Sequence, residues 1–215
     1  MVRLLIEKGA NVNVSNKNAE TPLMLACNKD NSDVVQLLIE KGANVNVSDK
    51  VEDAPLILAC DKDNSDIIRL LIEKGADVNV YDKRKKTPVI WSCKHDNIDI
   101  VRLLLEKGAE INLCDIDGMT ALLYASKSGF FEIVEELTMN GADVLLAAKN
   151  GKTSLMFAIE NNDRRIENFL SKHLYKSKIF DNNRKRSINQ TGDEVIYERA
   201  TKIMRVDEAT HIKKQ

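Results

Sequence analysis

The chain has 215 residues, with 32 Lys and Arg against 33 Asp and Glu and a formal net charge of −1. That balance excludes whole-molecule attraction to nucleic acid or an anionic membrane, and no uncharged apolar run approaches the roughly 20 residues that span a bilayer. Hydrophobic residues make up 43% but aromatic residues only 5%, so a folded core has to be aliphatic and rich in alanine.

The chain repeats itself every 33 residues. Gly9, Gly42, Gly75, Gly108 and Gly141 are evenly spaced, and Thr21, Thr87, Thr120 and Thr153 keep the same register, with Ala54 in the one gap. A fixed period of this size marks a stacked-repeat architecture, which offers a long continuous surface rather than an enclosed pocket. The period therefore points to binding before any motif is read.

In chain order, Val2-Arg3-Leu4-Leu5-Ile6-Glu7-Lys8-Gly9-Ala10 reads as the second helix of a repeat whose first helix is missing, a half repeat over residues 1–15. Its apolar face is then partly uncovered. The expectation is a piece of a longer protein, with a half-repeat cap as the alternative. Five repeats follow, starting near 16, 49, 82, 115 and 148. Each opens on a short first helix, as in Thr21-Pro22-Leu23-Met24-Leu25-Ala26-Cys27, Ala54-Pro55-Leu56 and Thr87-Pro88-Val89. Thr caps the free amides and Pro is tolerated at the first helical position. A polar break such as Asp30-Asn31-Ser32-Asp33 is a turn and a new N-cap. The second helix, such as Val34-Val35-Gln36-Leu37-Leu38, puts its apolar residues on one face. Lys41-Gly42 ends it, with Gly in the left-handed conformation. An extended segment then turns at Asp115-Ile116-Asp117-Gly118 or Lys149-Asn150-Gly151, a hairpin-like loop.

These residues resemble the ankyrin repeat: a Thr-Pro-Leu opening, a Val-Val-x-Leu-Leu second helix, and Gly-Ala followed by Asn, here Gly42-Ala43-Asn44-Val45-Asn46. The resemblance covers residues 1–174 and implies an all-α solenoid of helix-turn-helix units joined by hairpin-like loops. Three departures stand out. The family's His after Thr-Pro-Leu is replaced by Met24, Ile57, Ile90, Leu123 and Met156. The hairpin Gly before Thr is replaced by Ala19, Glu52 and Lys85, and kept as Gly118 and Gly151. The Gly between the helices survives only as Gly129, with Asp30, Asp63, Asp96 and Asn162 elsewhere. Asp and Asn tolerate the left-handed region, so the same fold is expected with a less stable stack.

Cys27, Cys60 and Cys93 stand one period apart. Stacked helices lie roughly 8–10 Å apart, beyond the ~7 Å that a disulfide allows. Buried thiols in a reducing, cytoplasmic setting are expected, with the nucleus as the alternative. No Cys-x-x-Cys or matching His pair offers a metal site, so no metal or cofactor is expected. His95, His173 and His211 fall in different segments, and no phosphate loop or nucleophile motif appears, so no catalytic residue is assigned and the chain reads as no enzyme.

Residues 175–215 leave the pattern as a polar, basic tail. Lys178 to Gly192 reads as a linker, Asn183-Arg184-Lys185-Arg186 as a solvated basic run that resembles a short import signal, and 193–206 as a short helix opened by Thr191 and Glu194.

The ankyrin resemblance implies that a partner meets the concave face made by the loop tips and the exposed side of the first helices. The residues at those positions named as partner-binding are Lys50, Asp53, Lys83, Arg84, Lys86, Lys94, His95, Ile116, Asp117, Met119, Lys149 and Lys152. Over the loop-tip and first-helix positions the formal charge is +4 in the third repeat, from Lys83, Arg84, Lys86 and Lys94, against 0 or +1 in each of the others. A basic anchor beside apolar Ile116 and Met119 suits an acidic or phosphorylated protein segment. Trp91, Tyr124 and Phe157 share one repeat position and read as core filling, with a recognition ridge as the alternative. The leading function is thus a monomeric, non-catalytic protein-interaction scaffold or adaptor that binds neither membrane nor nucleic acid. The alternative is a regulatory or substrate-recruiting segment of a larger enzyme, a kinase or ubiquitin ligase, whose catalytic domain is absent here.

Overall fold

The computed structural model describes residues 2–51 and 53–181, with side chains described over 3–51 and 53–174. Its helices are α1 Val2–Glu7, α2 Pro22–Asn28, α3 Ser32–Glu40, α4 Pro55–Asp61, α5 Ser65–Glu73, α6 Pro88–Lys94, α7 Ile98–Glu106, α8 Ala121–Ser128, α9 Phe131–Met139, α10 Ser154–Glu160 and α11 Arg164–Asp181. Among the described residues the only strand-like pairings are two isolated bridges, Cys114 with Thr120 and Ala147 with Thr153. The chain is all-α, as its period predicts. No helix among the described residues is long and apolar enough to cross a membrane.

Two compact units divide the chain, residues 1–121 and 122–215. In the first, α2 pairs with α3, α4 with α5 and α6 with α7. The first helices stack α2 on α4 on α6, and the second helices stack α1 on α3 on α5 on α7. In the second unit, α11 packs on α10 and on α9.

Local chemistry explains each element. Thr21, Thr87 and Thr153 cap α2, α6 and α10, each Oγ1 accepting from the amide three residues on. Ala54 makes no such bond at the start of α4. Asn31, Asn64 and Asn97 cap α3, α5 and α7 in the same way. Between the paired helices the chain needs a positive φ, and Asp30, Asp63, Asp96 and Asn162 supply it at 54–59°, where Gly129 has 79°. The expected tolerance holds, and it has a further cause. The Asp30 and Asp63 carboxylates accept from the Nδ2 groups of Asn64 and Asn97 in the next repeat, so each aspartate bridges two repeats where glycine would not.

A second ladder links the loops of the first unit. Asn13, Asn46 and Asn79 donate through Nδ2 to the carbonyls of Gly42, Gly75 and Gly108, at 3.0, 2.9 and 3.3 Å. Their Oδ1 atoms accept from the amides of Asn44, Asp77 and Glu110, each at 2.8 Å. Between these links lies an aliphatic core. Leu23, Leu56, Val89, Leu38, Leu71 and Leu104 are essentially inaccessible, and so are Met24, Ile57 and Ile90, which fill the family's His position. The cysteines behave as expected: Cys27, Cys60 and Cys93 are free and buried, and burial pushes the Cys27 thiol up to about 12.

On α1, Leu4 and Leu5 are 56% and 54% exposed. At the other end α11 runs on to Asp181, so residues 178–181 are helical where the sequence reads as linker. The helix expected over 193–206 and the basic run 183–186 lie outside the described residues.

The left-handed positions give a stability test. Lys85 has φ 58°, is exposed and has no side-chain role in the turn. Lys85→Gly should raise stability by up to about 1 kcal/mol, the left-handed penalty less the entropy of glycine. Asp63→Gly should bring no such gain, because it removes the acceptor for Asn97. Thermal unfolding of both variants checks the contrast.

Candidate protein-interaction site

The loop before each first helix is a tight turn held by one polar residue. Asn16, Asp49, Asp82 and Asp115 each accept, through Oδ1, from the amides two and four residues on. Their own amides donate to the carbonyl four residues on. In the third repeat Asp82 therefore fixes the backbone of both Arg84 and Lys86, at 2.8 and 2.9 Å. The turn sends alternate residues to different places. Lys83 and Arg84 are exposed, and Arg84 reaches the next loop, where its Nη2 meets Asp117 Oδ2 at 2.8 Å and its carbonyl accepts from the Ile116 amide.

Lys86 goes the other way. It is 9% exposed, and its ammonium lies 4.9 Å from the centroid of the Trp91 ring. Lys94, one turn further along α6, places its ammonium 3.9 Å from the same centroid. His95, the C-cap of α6, stacks on the ring at 6.0 Å. Two cations thus converge on one aromatic ring, a favourable contact for each. Neither lysine has an ion-pair partner among the described residues. Burial and then the charge of Lys86 hold the Lys94 ammonium below its ordinary range, with Asp61 and Asp82 acting in the opposite sense.

The preceding repeat has the opposite sign. Asp53 and Asp61 occupy the positions of Lys86 and Lys94, one period earlier. Burial, then Asp49, Asp82 and Asp61, push the Asp53 carboxyl above its ordinary range, and Lys83 opposes them. Asp61 pairs with its neighbour Lys62 at 3.1 Å.

Of the remaining expected contact residues, Lys50 is exposed in the second loop and its amide donates to the Asn18 carbonyl. Ile116 is 38% exposed, whereas Met119 is 7% exposed and belongs to the core. Met119 follows the inward-turned position that Lys86 takes in its own loop, so neither is the solvent-exposed tip residue that spacing alone suggests. Lys149 is exposed in the second unit. Lys152 of that unit bonds Glu160 at 2.7 Å and lies 5.6 Å from the Phe157 ring centroid. The aromatic row divides: Phe157 is 6% exposed and fills core, while Trp91 is half-buried and carries the two lysines over its ring. Sequence reasoning missed Asp82 as the organiser of the basic loop, although its recurrence with Asp49 and Asp115 was there to be read. Among the described residues no group of His, Cys, Asp and Glu side chains could hold a metal ion.

A stack of helix pairs with capped turns and a Gly-terminated second helix defines a repeat protein. The family model for ankyrin repeats matches residues 1–82, 56–148 and 113–185, and the chain belongs to the ankyrin-repeat family. Ankyrin repeats are in general protein–protein interaction modules and typically non-catalytic. Comparison with curated proteins finds no match.

The raised carboxyl of Asp53 makes a signed prediction. A group whose pKa is raised by folding adds stability while protonated and loses it as pH rises through the folded value. Asp53→Asn should therefore raise the unfolding midpoint at pH 7. The gain should vanish below about pH 4, under the unfolded carboxyl value. Thermal unfolding of the variant and the parent across this range measures it.

Proposed function

We propose that the protein is a non-catalytic interaction scaffold whose first unit captures an acidic or phosphorylated segment of a partner protein on the concave face made by its loop tips and first helices. The observation that carries this reading is the pair Lys86 and Lys94, two ammonium groups with no carboxylate in ion-pairing contact among the described residues, held over the ring of Trp91. At Lys94, partial burial and the charge of Lys86 disfavour the ammonium, and a complex that supplies an anion offsets that cost. The half-buried indole adds apolar contact within the patch, and the first unit also exposes Tyr81 and Ile116, 46% and 38% accessible. Aromatic and basic anchors of this kind are frequent at interface hot spots. The free buried thiols Cys27, Cys60 and Cys93 support the cytoplasm as its place of action.

The expected division of labour differs from that of a simple basic loop. Arg84 is engaged with Asp117, and Lys83 stands in solvent, where a charge contributes little. The double variant Lys86→Gln, Lys94→Glu should weaken binding of an acidic partner segment at least about tenfold, and Lys83→Glu should weaken it by less. Affinities measured with the full chain check this; an unchanged affinity in the double variant overturns the reading.

A further inference from the structure

The loop and helix positions that hold Lys86 and Lys94 recur in every repeat, and in the second unit they carry Lys152 and Glu160. There the two side chains meet at 2.7 Å. The positions are thus within contact reach of each other, one ionic group apart, and opposite charges at them neutralise internally. In the first unit the same two positions carry Asp53 with Asp61, and then Lys86 with Lys94. Each rung is matched in sign where the second unit is opposed. The rungs do not neutralise each other either: among the described residues no ion pair joins Asp53 or Asp61 to Lys86 or Lys94. The carboxylates act on Lys94 only at longer range, and Asp53 is left with Lys83 as its one opposing cation. Asp61 also pairs with Lys62, its neighbour in the chain and outside the rung; within each rung the two like charges repel, and the two adjacent rungs differ in sign.

We propose that the first unit reads charge order: its ligand is an extended protein segment with an acidic side chain over Lys86, Lys94 and Trp91, and a basic side chain three residues away over Asp53 and Asp61. The proposal rests on the interaction reading above and adds the second charge, the spacing and the direction. The spacing follows from the stack. Adjacent first helices lie roughly 8–10 Å apart, and an extended chain rises roughly 3.3 Å per residue, so about three residues span one repeat. A carboxylate suits the basic rung better than a dianionic phosphate, because Asp53, Asp61 and Asp82 lie nearby and repel a second negative charge. Opposed rungs also reject the reversed segment, which would set like charges against like.

The test is selection of random peptides displayed on phage against the full chain, followed by affinities of synthetic versions. The expected outcome is enrichment of Asp or Glu with Lys or Arg three positions away, always in one chain direction. Replacing the basic residue of such a peptide by Ala should weaken it about fivefold, and inverting the two charges should abolish binding. Asp53→Lys, and separately Asp61→Lys, should remove the preference for the basic residue and leave the preference for the acidic one. The second substitution keeps the test valid if the half-buried Asp53 does not accept lysine. Enrichment of acidic peptides with no basic residue at a constant spacing overturns this inference and leaves the interaction reading standing. Enrichment with no acidic residue overturns both.

Discussion

The side-chain amide that recurs at Asn13, Asn46 and Asn79 is the interaction on which the rest of the first unit depends. A helix ends with carbonyls that have no intrahelical partner. Here the carbonyl of the terminal glycine accepts from an asparagine of the preceding repeat, and the same amide's oxygen accepts an N–H two residues beyond that glycine. One side chain satisfies two backbone groups and sets the height of one repeat against the next. The aspartates at the interhelical turns, bonded to Asn64 and Asn97, do the same on the other side of the stack. Aliphatic packing supplies most of the cohesion, because a single repeat cannot cover its own apolar face. It does not by itself fix register, since leucine against leucine tolerates sliding.

Register is what gives the surface meaning. With repeats held at a constant offset, positions one period apart become adjacent rungs, and the acidic rung of Asp53 and Asp61 comes to lie beside the basic rung of Lys86 and Lys94. The second unit shows what an undemanding solution looks like: Lys152 and Glu160 at the same positions, neutralised by each other. The first unit instead keeps carboxylates with carboxylates and ammonium groups with ammonium groups, half-buried, with a tryptophan ring beneath the cations. Local choices that work against stability are expected where a surface serves binding. Ankyrin repeats are interaction modules in general; the sign-matched rungs are the observation from which the proposed preference for charge order is drawn.

Much of the fold was legible in the chain. The helices, their threonine caps, and the left-handed turns at Asp30, Asp63, Asp96 and Asn162 all follow from residue types at a repeating spacing, because capping and φ preferences are local properties. The site was legible only in part. Spacing marked Lys83, Arg84 and Lys86 as one basic tip, but the Asp82 turn separates them into a solvent-exposed residue, one tied to Asp117, and one turned inward onto Trp91. The same turn buries Met119. Trp91 read as core filling, since an apolar residue at a helical repeat position usually is.

The sequence by itself determined that this protein is a stack of ankyrin repeats and where along each repeat its helices begin and end, because those follow from interactions within a few residues. The tertiary structure alone decided which charges remain without partners. Whether two side chains eight residues apart meet depends on how loop and helix are set against each other, and whether rungs of opposite sign neutralise depends on the distance between repeats. Neither distance is encoded in any single repeat; both arise when the asparagine and aspartate ladders bring the repeats into contact.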